Sequence, residues 1–192
     1  LRGIDSHGLR LLPHYVAGLQ GGRINPAPTI GFNRTAASTG ILDADHGFGH
    51  YAGLLAIKKA IKLAQETGAG WVVVANSSHC GAMSFFAKEA AVNDMIGFAF
   101  THATARVRSP GGIRPFFGNN PVCFVAPMRD EGPLCFDAAT TKTTFNAVKR
   151  YAEKGCSVPP GLVADHAGQE TTDPHAAQQL IPIGDYKGFG LS

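Results

Sequence analysis

The sequence lacks several features that mark specialised protein classes. Its four cysteines show neither CxxC spacing nor the density of a disulfide framework, which predicts a reduced, cytoplasmic protein without a cysteine metal site. No apolar run approaches the roughly 18 residues that a membrane-spanning helix needs, so we expect no membrane partner. The net charge is only +3 and the basic residues are scattered. Nucleic acid is therefore not an expected partner either.

The composition that is present is that of a globular α/β chain. Its 192 residues, 44% hydrophobic and 16% charged, can bury one substantial core and a second small one. The chain begins inside a polar motif around His7 and stops in the apolar, glycine-rich stretch Gly188–Ser192. We therefore expect it to be an internal segment of a longer protein.

Periodicity and turn residues predict the main elements. Apolar residues at helical spacing predict helices over residues 8–19 and 51–67. The continuous apolar run Trp71–Ala75 predicts a buried strand. Glycine and proline predict a loop at Ser109–Asn120 and a long surface excursion at Gly155–Asp185. Further strands are predicted at Thr29–Asn33, Gly40–Asp45, Met95–Thr101, Val122–Ala126 and Leu134–Phe136, and further helices at Met83–Asn93 and Thr143–Lys154.

The first motif with chemical potential is Asp5-Ser6-His7-Gly8, which directly precedes a predicted helix. Histidine has an unperturbed pKa of about 6.5, which suits proton transfer near neutral pH. The hydroxyl of Ser6 could hold the imidazole or contact a reacting oxygen. The alternative is structural, with Asp5 or Ser6 capping the helix and His7 on the surface.

The second motif is the polar loop Asn76–Ala82, which leaves a predicted strand and enters a predicted helix. Ligands of α/β proteins gather where strands end. His79 in this loop could act as an acid or a base, or the start of the helix could hold an anion. A loop histidine beside a capping serine is the structural alternative.

The glycines of Gly47–Gly53 imitate a Rossmann phosphate-binding loop. The acidic residue expected at the end of the following strand is missing, because Asn76 and Ser77 stand there. His46 and His50 have the spacing of two metal ligands on a helix, but glycines lie between them and no third ligand is near. We therefore expect no metal site.

Two later segments also carry polar groups in loops. Asp137–Thr141 follows a predicted strand, and Lys187 stands in a flexible glycine context. A lysine with such neighbours can meet a phosphate without steric cost.

Taken in order, these segments resemble the malate/L-lactate dehydrogenase family, whose cofactor domain is not a Rossmann fold. The match extends over essentially the whole chain, and five ordered motifs are far more specific than one. The matching pieces are Arg2-Gly3-Ile4-Asp5-Ser6-His7-Gly8, Asn76-Ser77-Ser78-His79-Cys80-Gly81-Ala82, Gly118-Asn119-Asn120-Pro121, Phe136-Asp137-Ala138-Ala139-Thr140 and Lys187-Gly188-Phe189-Gly190.

The resemblance implies a fold, a cofactor and site residues. It implies a mixed, largely antiparallel sheet flanked by helices, with residues 1–70 as the substrate and dimerisation part and residues 71–192 as a truncated nicotinamide-cofactor domain. The cofactor would be NAD or NADP, and the protein a homodimer. His7, with Ser6 beside it, corresponds to a proton donor, and some members are described as using the position of His79 as proton acceptor. The corresponding cofactor contacts are Ala103, Asp137, Ala138, Ala139 and Lys187.

The implied reaction interconverts a small 2-hydroxy acid and a 2-oxo acid, or an imine, by hydride transfer, with a histidine moving the proton. The family arginine four residues after the motif histidine is replaced here by Leu11, and Arg10 lies one position earlier. The family's Gly-Thr-Asn-Pro is replaced by Gly118–Pro121, with an amide for a hydroxyl. Arg10 and Asn120 are thus the candidate substrate contacts. The alternatives are a Rossmann dehydrogenase using Gly47–Gly53 and a binding protein without catalysis.

Overall fold

The structure, a computed structural model, describes residues 7–184, and they form the mixed α/β fold that the sequence predicts. Leu9–Leu11 is a 3-10 turn, and the α-helices are α1 (Leu12–Gln20), α2 (Gly49–Thr67), α3 (Ser84–Val92) and α4 (Phe145–Glu153). No helix in this range is long and apolar enough to cross a membrane. The strands are β1 (Gly31–Ala36), β2 (Thr39–Asp43), β3 (Trp71–Ala75), β4 (Gly97–Phe100), β5 (Val107–Arg108), β6 (Pro115–Phe117), β7 (Val122–Ala126), β8 (Leu134–Ala138), β9 (Val163–Ala164) and β10 (Gln179–Leu180).

The chain divides into two compact units. Of the described residues, the first unit contains 7–99 together with Cys123–Phe136, and the second contains Phe100–Val122 together with 137–184. Sheets β1-β2-β3 and β4-β7-β8 build the first unit, and sheet β6-β5-β10-β9 lies in the second. The functional division into residues 1–70 and 71–192 stays a prediction.

The first unit is organised around a β-α-β crossover. Strands β1 and β2 form an antiparallel hairpin, and α2 connects β2 to the parallel strand β3. Helix α2 buries Ala52 and Ala56 against Leu42, because small residues on this face let the helix lie close to the sheet. It ends at Gly68, whose φ of 83° closes the helix in the left-handed region that glycine adopts without steric cost. Since β2 and β3 are parallel, the loops that follow them meet at one edge of the sheet.

The prediction that Trp71–Ala75 is a fully buried strand is wrong in part. Val72 and Val74 pack towards the core, but Trp71 and Val73 are 54% and 65% exposed. The strand is apolar on both faces, yet within the described residues only one face of its sheet is covered by α2. The Trp71 ring stacks on Phe98 of β4 with the ring centroids 6.2 Å apart.

The second unit corrects two of the loop predictions. Ser109–Asn120 contains strand β6, and Gly155–Asp185 contains β9 and β10, so neither is only a loop. Val163 and Leu180 of the supposed surface excursion are fully buried, together with Val107 of β5. Strands of two residues are too short to show an alternating pattern, and this hid them in the sequence.

Candidate active site

Four histidines and a tyrosine from separate segments meet in the first unit. His7 stacks on His79 with ring centroids 5.8 Å apart and planes within 16°. His14 and His50 each lie edge-on to His79, with centroids 6.3 Å apart in both pairs. Tyr15 lies among them, and we call these five residues the histidine cluster. The structure thus brings together the two histidines, His7 and His79, that the sequence singled out.

The Tyr15 hydroxyl bridges two of these imidazoles. Its oxygen lies 2.8 Å from Nδ1 of His79 and 3.3 Å from Nε2 of His50. The Tyr15 ring also lies edge-on to Phe48, with centroids 6.2 Å apart, which fixes the direction of the hydroxyl. A hydroxyl has one hydrogen to donate and can accept as well, so it can serve both rings at once.

A polar network fixes the loops after β2 and β3, which lead to His50 and His79. The Asp43 carboxylate accepts from the Asp45 backbone N–H at 2.9 Å and from the Asn76 side-chain amide at 3.1 Å. These hydrogen bonds, the one from Asp45 first, lower the pKa of Asp43. The His46 backbone N–H donates to the Asn76 carbonyl at 2.7 Å. The two loops are therefore held against each other by their own backbone and short side chains.

The glycine loop Gly47–Gly53 is filled by the protein itself. A Cβ added at Gly49 would lie 2.1 Å from the Ser78 carbonyl oxygen and 2.9 Å from Cβ of Cys80. Likewise, a Cβ at Gly53 would lie 2.6 Å from the Phe86 ring. The Gly49 N–H, at the start of α2, donates to the Ser78 hydroxyl at 3.1 Å. This N-terminus holds the His79 loop and leaves no room for a dinucleotide phosphate, so the Rossmann interpretation does not fit the structure.

Burial and neighbouring charge act strongly on His79. Desolvation on its packed side, and then the positive charge available on His7, His50, His14 and Arg23, lower the pKa of His79 to about 4. Part of the ring nevertheless remains exposed. His79 is therefore neutral near pH 7, and Nε2, the ring nitrogen that Tyr15 does not contact, is the one that can exchange a proton with a ligand.

The pKa values of His50 and Tyr15, the other two residues of the bridge, change in the directions expected from burial. Desolvation lowers the pKa of His50, and burial, with a smaller effect of Cys80, raises the pKa of Tyr15. All three groups of the bridge thus favour their neutral forms near pH 7. Among residues 7–184 no group of three or more His, Cys, Asp or Glu side chains is arranged to hold a metal ion.

Several of the cofactor and substrate candidates come together in the second unit. The Ala103 N–H donates to Oδ1 of Asn120 at 3.0 Å, and the Thr140 N–H donates to the Asn119 carbonyl at 3.2 Å. A Cβ added at Gly118 would lie 2.2 Å from the Ala103 carbonyl oxygen, so only glycine allows this approach. The three predicted segments around Ala103, Asn120 and Asp137–Thr140 are therefore neighbours within this unit.

The roles of the remaining candidate residues stay predictions. Asp137, Ala138 and Ala139 are partly buried at the end of β8. Arg10 is exposed on the 3-10 turn, three residues after His7. Ser6 and Lys187 lie outside the described residues.

Sequence analysis missed the part of the cluster that depends on tertiary contacts. Tyr15 lies in the helix predicted over residues 8–19 and carries no predicted role, and His50 is predicted only as part of the Gly47–Gly53 loop or of a metal-like spacing. His14 was not singled out. No local signal marks Tyr15, because the extended residue Gly8 separates His7 from the turn and helix that carry Tyr15.

Comparison with known proteins gives a consistent result. The sequence model of the malate/L-lactate dehydrogenase family matches residues 1–192. The chain is 35% identical over 202 residues to malate dehydrogenase of Pyrococcus horikoshii, covering 100% of this chain and 56% of that protein. It is 34% identical over 190 residues to an NAD(+) ureidoglycolate dehydrogenase of Escherichia coli K12, covering 99% of this chain and 54% of the relative.

Solved structures give the same result. Malate dehydrogenase from Entamoeba histolytica superposes with a TM-score of 0.93 at 31% identity, covering 100% of this chain and 57% of that one. Delta1-piperideine-2-carboxylate reductase from Pseudomonas syringae pathovar tomato superposes with a TM-score of 0.94 at 28% identity, covering 99% and 58%. The chain thus spans somewhat more than half the length of these similar proteins.

Proposed function

Because the chain belongs to the malate/L-lactate dehydrogenase family, we propose that the protein containing it is an NAD(P)-dependent oxidoreductase that interconverts a small 2-hydroxy acid and its 2-oxo acid. The observation that carries this proposal is the 5.8 Å stacking of His7 on His79. Each histidine was predicted from a separate motif, and their stacking supports one common proton-transfer site. The relatives named for malate, ureidoglycolate and a cyclic imine indicate that the family acts on small polar acids.

The chemistry assigned to the histidine cluster is proton transfer to and from the substrate oxygen. When bound, the nicotinamide supplies or accepts the hydride at the substrate C2. A neutral His79 can take the proton of a 2-hydroxy acid, and the same nitrogen can return it to the oxygen of a 2-oxo acid. His7, stacked beside it, is the second acid/base candidate. Its place next to the Ser6 motif suits contact with the same oxygen.

The anionic parts of cofactor and substrate need partners of their own. We assign the cofactor to the segments around Ala103 and Asp137–Ala139, with Lys187 as the candidate for a phosphate. The hydrogen bonds that join these segments within the second unit support the assignment. The substrate carboxylate is assigned to Arg10, whose guanidinium suits bidentate pairing, with Asn120 as a further polar contact.

We also propose that the protein acts as a homodimer and in the cytoplasm. The dimer follows from the family, and the location from four cysteines without a disulfide pattern.

The test is an assay of the full-length protein with 2-oxo acids and with NADH and NADPH. Replacement by asparagine at His79 or His7 removes the titrating ring and keeps a polar side chain of smaller size. We expect replacement of the more important histidine to lower kcat by roughly 10²–10⁴-fold, the usual contribution of a positioned acid or base. His175→Asn, at an exposed position of the second unit, is the control.

A protein without catalysis on the same scaffold is the competing interpretation. It predicts no reduction of any 2-oxo acid and no binding of either dinucleotide in a calorimeter. Wild-type rates in both the His7 and the His79 variants would instead contradict the acid/base assignment while leaving the dehydrogenase in place.

A further inference from the structure

The Tyr15 hydroxyl joins His79 to His50, a connection that neither predicted motif contains. We propose that Tyr15 and His50 form a proton relay behind His79, in which Tyr15 passes the proton and His50 exchanges it with solvent. The proposal rests on the dehydrogenase function and goes beyond it, because it adds two residues that act through His79. Both are positioning residues in this scheme, since they act through His79 and neither contacts the substrate oxygen.

The tautomers of the two imidazoles are coupled through one hydroxyl. If Tyr15 donates to Nδ1 of His79, that ring carries its proton on Nε2, and the Tyr15 oxygen accepts from Nε2 of His50. If Tyr15 donates to His50 instead, His79 carries its proton on Nδ1, and its Nε2 becomes an acceptor. The bridge therefore sets whether His79 presents a donor or an acceptor to the substrate.

In the direction of 2-oxo acid reduction the proton steps balance as follows. The substrate oxygen takes the Nε2 proton of His79 as the hydride reaches C2. His79 then takes the hydroxyl proton of Tyr15 at Nδ1, and the Tyr15 oxygen takes a proton from Nε2 of His50. One N–H bond is broken at Nε2 of each ring, one forms at Nδ1 of His79, and His50 takes a proton from water at Nδ1, so both rings end as their other neutral tautomer. In the oxidation direction every transfer runs in reverse.

The electrostatics of the cluster favour a relay over storage of charge on His79. His7, His14, Arg23 and His50 all face His79, and with its burial they hold its pKa at about 4. An imidazolium at His79 would therefore be costly, and passing the second proton on avoids it. Burial alone lowers the pKa of His50, without those added charges. It is half-buried in the first turn of α2, where the helix dipole disfavours a lasting cation, so the proton leaves for water.

The central experiment compares Tyr15→Phe, His50→Gln and the double variant in the full-length protein. Tyr15→Phe keeps the ring on Phe48 and removes only the bridging oxygen. We expect it to lower kcat by about 10²-fold, the low end for acid–base groups, with little change in the KM for the 2-oxo acid. His50→Gln should lower kcat in the same way. The double variant should be no slower than Tyr15→Phe, because a relay cut at Tyr15 makes His50 irrelevant.

Two matched variants separate the relay from general damage to the cluster. Tyr51→Phe makes the same chemical change at an exposed tyrosine next to His50. His175→Gln makes the same chemical change as His50→Gln at an exposed histidine of the second unit, outside the histidine cluster. Both should keep wild-type kcat. Losses that multiply in the double variant, or equal losses in His175→Gln and His50→Gln, would overturn the relay.

Nuclear magnetic resonance of ¹⁵N-histidine-labelled protein tests the bridge without catalysis. The ring nitrogen shifts report the tautomer of each histidine, and Tyr15→Phe should change those of His79 and His50 together. Unchanged shifts of either ring would overturn the coupling. If the wild-type protein reduces no 2-oxo acid, the dehydrogenase proposal fails, and with it the relay's catalytic role. If wild type is active and both variants match it, only the relay fails.

Discussion

The histidine cluster of the first unit and the Ala103–Asn120 region of the second are held in place by different kinds of contact. In the cluster, side chains touch side chains, as in the stacking of His7 on His79 and the Tyr15 bridge. In the second unit, backbone N–H groups are fixed by the Asn120 side chain and the Asn119 carbonyl. The first arrangement presents titrating rings, whereas the second presents ordered main chain.

The two regions should therefore respond differently to substitutions. Imidazoles and a phenol can move protons, so the cluster should control the rate and pH dependence of the reaction. Backbone held by short polar side chains can follow the outline of a ligand but does no acid–base work. Changes there should act on cofactor affinity. A substitution in either region that changes kcat but not cofactor affinity, or the reverse, would support this division of roles, and a substitution that changes both would contradict it.

The largest effect is expected from Gly49→Ala. The new Cβ meets the Ser78 carbonyl oxygen at 2.1 Å, so the loop that carries His79 has to move. A displacement of about 1 Å at a catalytic group costs roughly 10²-fold in rate, and we expect a kcat loss of that size. Dinucleotide affinity, measured by calorimetry, should stay close to wild type.

The control is Gly31→Ala, because a Cβ there meets nothing within 4 Å. Loss of dinucleotide binding in Gly49→Ala, with folding intact by circular dichroism, would count against the assignment of the cofactor to the second unit. It would restore the Rossmann interpretation of Gly47–Gly53.

A smaller effect is expected from Gly118→Ala in the second unit, on dinucleotide affinity and not on kcat. Its Cβ would lie 2.2 Å from the Ala103 carbonyl oxygen and 2.7 Å from Oδ1 of Asn120, the acceptor of the Ala103 N–H. Overpacking costs about 1–3 kcal/mol, so dinucleotide affinity should fall about tenfold or more.

The measurement for Gly118→Ala is calorimetric titration with each dinucleotide, combined with kcat at saturating cofactor. The kcat should stay within a few-fold of wild type, because the histidine cluster is untouched. An unchanged dinucleotide affinity with a lower kcat would contradict the assignment of cofactor binding to the second unit. Gly132→Ala, where a Cβ meets nothing within 4 Å, is the control.

The same comparison explains how far the sequence could predict this molecule. Helix α2 and strands β3 and β7 were predicted to within about two residues, because their periodicity is local. His7 and His79 were found because each stands in a local polar motif. Tyr15 and His50 were not, since their contacts join residues 35 and 64 positions apart. Those contacts exist only once the β2-α2-β3 crossover brings the loops together.

In the second unit the sequence predicted which segments matter but not how they pack. Gly155–Asp185 has the glycines and prolines of a surface loop, and Val163 and Leu180 nevertheless lie in the core. Their strands are two residues long, so burial there depends on partners far along the chain, such as Val107. Propensity cannot predict such contacts, because they are set by tertiary packing.

A third prediction concerns stability against pH. The pKa of His79 is about 4 in the folded protein and near 6.5 in the unfolded chain, so the unfolded state takes up the proton first as the pH falls. Stability is therefore full above pH 6.5 and is lost towards pH 4, with His50 acting in the same direction. Because part of the His79 ring is exposed, we expect about 1 kcal/mol or less from it.

Urea unfolding of the full-length protein at pH 7 and pH 5 measures this effect. The loss between the two pH values should be smaller in His79→Gln than in wild type. His175→Gln replaces an exposed histidine of the second unit and should behave like wild type. Equal losses in His79→Gln and His175→Gln would mean that the cluster carries no special share of the acid sensitivity.

The smallest effect is expected from Ser78→Ala. The Ser78 hydroxyl accepts from the Gly49 N–H at the start of α2, and removing it leaves this buried donor without that acceptor. The cost should be about 0.5–1 kcal/mol, the lower part of the range for a helix cap. Ser77→Ala, next to it on the exposed part of the loop, should cost less. If Ser78→Ala lowers kcat by tenfold without a matching loss of stability, this hydroxyl positions His79 and is not only a cap.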